Sequence, residues 1–173
     1  MVMRGKVRRS RVIEDEGTIM RKTDNTNRHP RVGTRKMIND MLEQRQRMLV
    51  LLWDLSKIKP AQTDEHSRET LDEFLSILVD YIAAGHFGLY GRIAAGNERR
   101  TPVTETAGQI YPRIADSTAL SVDFAERYER ANEQTLSTRL TNDLSELGEA
   151  LSTRIELEDR LIRAMLGEDE LAA

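Results

Sequence analysis

The chain of 173 residues contains no cysteine. That removes disulfide frameworks, thiol nucleophiles and zinc–thiolate sites. Histidine is scarce: only three are present, and the residues three positions before His29, His66 and His86 are Thr26, Thr63 and Ala83. The Glu-x-x-His pairs from which helical bundles build di-iron sites are therefore missing, and His86 with Glu158 or Asp159 is the remaining metal alternative. No G-x-S-x-G elbow or phosphate-cradling glycine loop occurs ahead of a helix, so the expectation is not an enzyme, with no cofactor and no metal. The longest apolar run, Met48–Trp53, is far short of the roughly 20 residues that cross a bilayer. The N-terminus is basic but lacks the apolar stretch of a secretory signal, so a cytoplasmic location is expected. No segment alternates with period two, which leaves no candidate strand.

Charge is present but uneven. Residues 1–32 hold nine Lys/Arg against four Asp/Glu, a net +5, and residues 33–173 hold seventeen against twenty-five, a net −8. The basic part, rich in Thr and Asn with scattered Val and Ile, reads as a disordered extension. It is either a functional tail or sequence upstream of initiation at Met20, and it carries no aromatic platform for nucleic acid. The acidic remainder, 33–173, reads as one domain that favours basic proteins over phosphate backbones.

Helical periodicity dominates that domain. Thr34 caps a first helix to about Ser56, with Met37, Met41, Met48, Leu52 and Leu55 on one stripe. Pro60 bars any helix from the loop KIKPAQTD. Asp64 or Ser67 caps a second helix reaching towards Ala95. The segment GNERRTPVTE reads as a polar turn, and a third helix runs from Tyr111–Pro112 to about Asn132, interrupted by Ser117 and Ser121. The fourth, Leu136 to Leu166, steps through Leu140, Leu144, Leu147, Leu151, Ile155, Ile162 and Met165, and Gly167 ends it. The fold class is all-α, an antiparallel four-helix bundle with a disordered N-terminal tail.

Two anomalies stand out. In Leu78–Ile93, LVDYIAAGHFGLYGRI, the residues Leu71, Leu75, Leu78, Ile82, Leu89 and Ile93 form a core stripe. The opposite side nevertheless carries Asp80, Ala83, Ala84, Phe87 and Gly91. Either a kink at Gly85 returns Phe87 to the core, or Ala84, Phe87 and Gly91 form a docking surface edged by Asp80. Gly85, Gly88 and Gly91, spaced by three, suit close approach of another backbone. In the fourth helix, Glu158 falls on the apolar stripe with Arg154 one turn before it. A buried charge needs a partner, so the two form an internal pair that fixes register, or line a polar pocket shared with Asp80 or Tyr81 that opens at a partner site.

The same residues carry a resemblance. LVDYIAAGHFGLYGRI, with DEFLS just before it, resembles the signature of the Rsd/AlgQ family of bacterial anti-sigma factors. LSELGEALSTRIELEDRLI (Leu144–Ile162) is similar to that family's last long helix and DLSKIKP (Asp54–Pro60) to its first loop. The similarity runs from about Lys36 to Gly167. It implies a helical bundle that binds the fourth region of the housekeeping sigma factor, a basic helix-turn-helix that reads the −35 element and docks on core polymerase. Binding there sequesters sigma and favours alternative sigma factors; the family includes regulators of alginate and virulence genes in pseudomonads. Carried over, the sigma-binding surface or its lining is Leu78, Asp80, Tyr81, Ala84, His86, Phe87, Tyr90 and Gly91. Glu149, Arg154, Glu158 and Asp159 are the supporting polar residues. The chain departs from the family at Met41, which stands where a Trp is usual. The expected partner is sigma, with neither direct nucleic-acid nor membrane binding, and the chain itself is a monomer or weak homodimer. A helical adaptor that binds another regulatory protein through the same face is the alternative.

Overall fold

The computed structural model describes residues 29–58 and 65–167. Among them there is no strand, and four long helices form the bundle: α1 (His29–Ser56), α2 (Glu65–Ala83), α4 (Thr101–Glu129) and α5 (Glu133–Leu166). A π-helical segment (Ala84–Tyr90) and a short α3 (Gly91–Ala94) continue α2 without a break. Most of the predicted basic extension, residues 1–28, and the loop residues 59–64 lie outside the described residues.

The connections make neighbours antiparallel. Arg68, near the start of α2, donates to the Ala131 carbonyl beyond the end of α4 at 2.7 Å. Arg100, just ahead of α4, donates to the Met165 carbonyl at the end of α5, also at 2.7 Å. Packing therefore runs α1–α2–α4–α5, and α1 returns against α5 with its C-terminal half beside the N-terminal half of α5.

The core takes most of the predicted stripes, with Met37, Leu52, Ile93 and Ile155 only partly buried at its edge. Ile38, Met41, Met48 and Leu55 of α1 meet Leu71, Phe74, Leu78 and Ile82 of α2 and Leu144, Leu147, Leu151 and Ile162 of α5, all buried. Phe74 and Phe124 stack edge-to-face with centroids 6.1 Å apart. Each fully buried side chain of this size contributes about 1.5–3 kcal/mol relative to exposure. By length and composition Glu65–Ala94 would suffice to cross a membrane, yet half of its apolar window is buried in the bundle.

Several boundaries differ from the sequence reading. The first helix begins at His29, so Thr34 lies inside it, and Pro30 sits in its first turn, where a missing N–H costs nothing. The second begins at Glu65, which places Ser67 inside its first turn rather than at the cap. The third starts ten residues before Tyr111, at Thr101, with Pro102 in its first turn. Val103, within the segment read as a polar turn, is buried, and Ala107 and Ile110 continue its face. Pro112 stands within this helix on its exposed side, where the Gly108 carbonyl it cannot bond can be met by water. Asn132 caps α5, its side chain accepting the Thr135 amide at 2.9 Å, and Gly167 ends it with φ +87° as expected.

The α3 terminus explains the other sharp turn. The Gly96 amide bonds to the Ile93 carbonyl at 3.0 Å and the Asn97 amide to Arg92 at 3.1 Å, a Schellman closure that puts Gly96 at φ +69°. That conformation favours glycine.

Candidate protein-docking site

At the centre of the bundle lies a polar network assembled from all four long helices. Arg154 and Glu158 are one turn apart on α5, both 0% exposed, and Arg154 Nε donates to Glu158 Oε1 at 2.8 Å. Glu158 Oε2 accepts from Arg45 Nη2 of α1 at 3.1 Å and from the Tyr81 hydroxyl of α2. Arg154 Nη1 donates to Thr118 Oγ1 at 2.8 Å and Ser117 Oγ at 3.2 Å, both on α4. Arg45 Nη1 also donates to Asp159 Oδ1 at 2.6 Å. Two guanidinium groups and two carboxylates thus balance within the network. Its members fix the register of α5 against three neighbours, since a buried charge without a partner costs several kcal/mol.

Directly outside this network, the π-helical segment carries His86 and Phe87 into solvent. Phe87 is 77% exposed, and the His86 ring meets it edge-to-face with centroids 5.0 Å apart. The two form a ridge with an apolar hollow on each side. One, of about 260 Å³, is walled by Val79, Ile82 and Ala83 of α2 and by Thr118, Ser121 and Val122 of α4. The other, of about 630 Å³, lies between Tyr90, Gly91 and Ile93 and the α4 residues Ala107, Tyr111 and Pro112. Val79, Val122 and Tyr111, on the walls, are exposed as well. Asp80 is exposed on α2 and lines neither hollow. The arrangement suits the apolar face of a helix, with side chains seated either side of an aromatic knob.

Comparison with known proteins places this architecture. The family model described as "Regulator of RNA polymerase sigma(70) subunit, Rsd/AlgQ" matches residues 19–166. The chain belongs to the Rsd/AlgQ family. Among the relatives of this Rsd/AlgQ chain is "Regulator of sigma D" of Enterobacter sp. (strain 638), 34% identical over 137 residues, which are 78% of this chain and 82% of the relative. The protein of the same description from Salmonella newport (strain SL254) is 34% identical over 133 residues, 75% of this chain and 82% of the relative. The family match begins at residue 19, earlier than the resemblance that runs from about Lys36.

The Rsd/AlgQ residues singled out from sequence divide by burial. Asp80, His86 and Phe87 are exposed and Ala84 and Gly91 half-buried, whereas Leu78, Tyr81 and Tyr90 are buried. The kink alternative for Phe87 is thus replaced by a π-turn that turns it outwards. Arg154 and Glu158 form the internal pair, and their pocket is shared with Tyr81 but not with Asp80. The pocket does not open to a partner, because its atoms are sealed from solvent. All three donors on Glu158 are Arg45, Tyr81 and Arg154, which leaves the carboxylate committed rather than poised beside His86. Asp159 is half-buried against Arg45. Glu149 is exposed, follows Gly148 in the α1–α5 groove and lines neither hollow.

Two features escaped the sequence reading. Arg45 closes the network from α1, and its signal was the gap from Met41 to Met48 in an otherwise regular stripe. The other is an apolar groove of about 490 Å³ between α1 and α5, lined by Leu49, Leu52, Trp53, Leu140 and Leu144 among others, in which Trp53 is 65% exposed.

Burial, then the Glu158 carboxylate, raises the Tyr81 and Tyr90 hydroxyl pKa values far above that of a free tyrosine. A raised folded pKa means stability that is complete below the unfolded pKa of about 10 and lost as pH climbs beyond it. Each group adds a slope of about 1.4 kcal/mol per pH unit there. Urea unfolding at stepped pH is expected to show stability falling steadily from pH 10 upward through Tyr81, Tyr90 and also Tyr128, whose hydroxyl is raised by burial and then by its hydrogen bond to Asp143. Stability that stays level from pH 10 upward would contradict this.

Proposed function

We propose that this protein regulates transcription by binding region four of the housekeeping sigma factor at the Phe87 ridge, so withholding it from core RNA polymerase and −35 DNA. Family membership supports a sigma(70) regulator, and the observation that carries the docking reading is the exposed aromatic knob set between two apolar hollows. A large side chain held in water on a helix edge, beside continuous apolar walls, is costly unless a partner covers it. The charge agrees in sign, since a domain of net −8 faces a basic helix-turn-helix and gains in encounter rate from the attraction. The protein acts stoichiometrically in the cytoplasm, as a binder rather than an enzyme.

The test is size-exclusion chromatography of the full chain with purified sigma region four. A complex that co-elutes at low salt and weakens as salt rises is expected, because screening contracts from about 10 Å at 0.1 M to about 3 Å at 1 M. Added core polymerase is expected to compete for the sigma fragment. Separate elution at low salt would overturn the reading, as would a ternary complex of sigma, core polymerase and this protein.

A further inference from the structure

We propose that Gly85 is a positioning residue for the docking ridge: lacking a side chain, it lets the π-turn seat directly on the buried Arg154–Glu158 pair, and that seat holds His86 and Phe87 in solvent. The functional consequence rests on the docking reading above; the seat itself rests on geometry.

A seven-residue π-segment is an unusual departure, because α-helical bonding is available at every step and π-turns occur mostly as single turns at functional sites. Something outside the helix must hold it. Three glycines spaced by three, Gly85 and Gly88 within it and Gly91 at its end, mark where its surroundings press closest. A Cβ at Gly85 would lie 3.0 Å from Arg154 Nη2 and 3.4 Å from Glu158 Oε1. A Cβ at Gly88 would lie 3.1 Å from both Cγ and Sδ of Met37, and one at Gly91 would lie 3.3 Å from the His86 carbonyl oxygen, which accepts the Gly91 amide in the π pattern.

The three contacts differ in how far they can yield. Met37 is unbranched and half-buried, so its thioether can swing aside. The Gly91 contact asks only a few tenths of an ångström of a carbonyl in the same segment. Arg154 has nowhere to go. Its Nε is spent on Glu158 and its Nη1 on Thr118 and Ser117, and Glu158 is held in turn by Arg45 and Tyr81. The one edge of the guanidinium without a hydrogen-bond partner, Nη2, is the edge turned to Gly85. The Tyr90 ring closes the far side, 3.9 Å from the same Cβ position. Four helices therefore clamp the atoms under Gly85, and the next two residues of the turn are His86 and Phe87. In this way an ion pair sealed from solvent, Arg154 with Glu158, acts on the surface through a single backbone contact.

The chain has three phenylalanines, so 4-fluorophenylalanine labelling gives fluorine resonances from buried Phe74 and Phe124 and exposed Phe87. In Gly85→Ala the Phe87 resonance is expected to move while those of Phe74 and Phe124 stay, a pattern that general loosening of the core would not give. Affinity for purified sigma region four should fall about tenfold, and Gly88→Ala should match wild type in both readouts. A Phe87 resonance unmoved in Gly85→Ala, or moved equally by Gly88→Ala, overturns the proposal. A moved resonance with unchanged affinity supports the positioning role and overturns the docking reading instead. Should Gly85→Ala fail to fold, G85A/R154K decides, because lysine lacks the Nη2 that the new Cβ would meet. Folding with a wild-type Phe87 resonance supports the seat, and a displaced resonance in that double variant overturns it.

Discussion

Glu158→Gln is expected to destabilise the protein by about 3–5 kcal/mol, the cost of stranding a buried charge. The substitution keeps shape but removes the charge and turns one accepting oxygen into an NH2 donor, and among the described residues the wholly buried Arg154 bonds to no other carboxylate. Arg45 is less affected because Asp159 still faces it at 2.6 Å. That asymmetry predicts an order. Arg154→Met should cost less than Glu158→Gln, since Glu158 keeps Arg45 and Tyr81. Asp159→Asn, at the half-exposed end of the network, should cost about 1 kcal/mol or less. Joint replacement, Arg154→Met with Glu158→Leu, should recover much of the loss, as apolar substitutes for buried pairs often do. Urea denaturation at pH 7 measures each value, and against a usual total of about 5–15 kcal/mol the first is large. If Glu158→Gln unfolds at the wild-type midpoint, the network is an ornament of the fold and not its register pin.

Phe87→Asp is expected to weaken binding of sigma region four by at least about 2 kcal/mol, roughly thirtyfold, the loss typical of an interface anchor. Stability should move by no more than about 0.5 kcal/mol, because an exposed position away from special features is tolerant. The two measurements together are what make this decisive. If Phe87→Asp lost helical signal as well as binding, the side chain would belong to the core. The matched control is Trp53→Asp in the α1–α5 groove, a second exposed aromatic on an apolar surface. Should that change abolish binding while Phe87→Asp spares it, the docking surface lies between α1 and α5.

Much of this is legible in the sequence. The stripe of α5 and its glycine stop emerge from spacing alone, because a helix that buries one face must repeat every three or four residues. Leu78–Ile93 also announced its two-sidedness, and Phe87 is indeed outside. What spacing could not reveal was the π-turn, since its cause is a guanidinium some seventy residues further along the chain. Ser117 and Ser121, which look in the sequence like interruptions of the third helix, are buried in it; each satisfies its hydroxyl on a carbonyl of the preceding turn. The early start of α4 was hidden by Gly96 and Pro102, read together as one long turn. In fact the glycine closes one helix and the proline opens the next. Arg45 was overlooked because a stripe is traced through apolar residues, and a charged one at a core step looks like a gap.

Trp53 is the only tryptophan of the chain, and it stands outside the core with Lys57 Nζ 4.9 Å from its ring centroid. Intrinsic fluorescence will therefore report poorly on whether the bundle is folded, since that indole begins wet and ends wet. It is instead a natural, label-free sensor of the α1–α5 groove: an emission shift in the native protein would register something settling there, while a sigma fragment seated on the Phe87 ridge would leave the spectrum dark to its arrival.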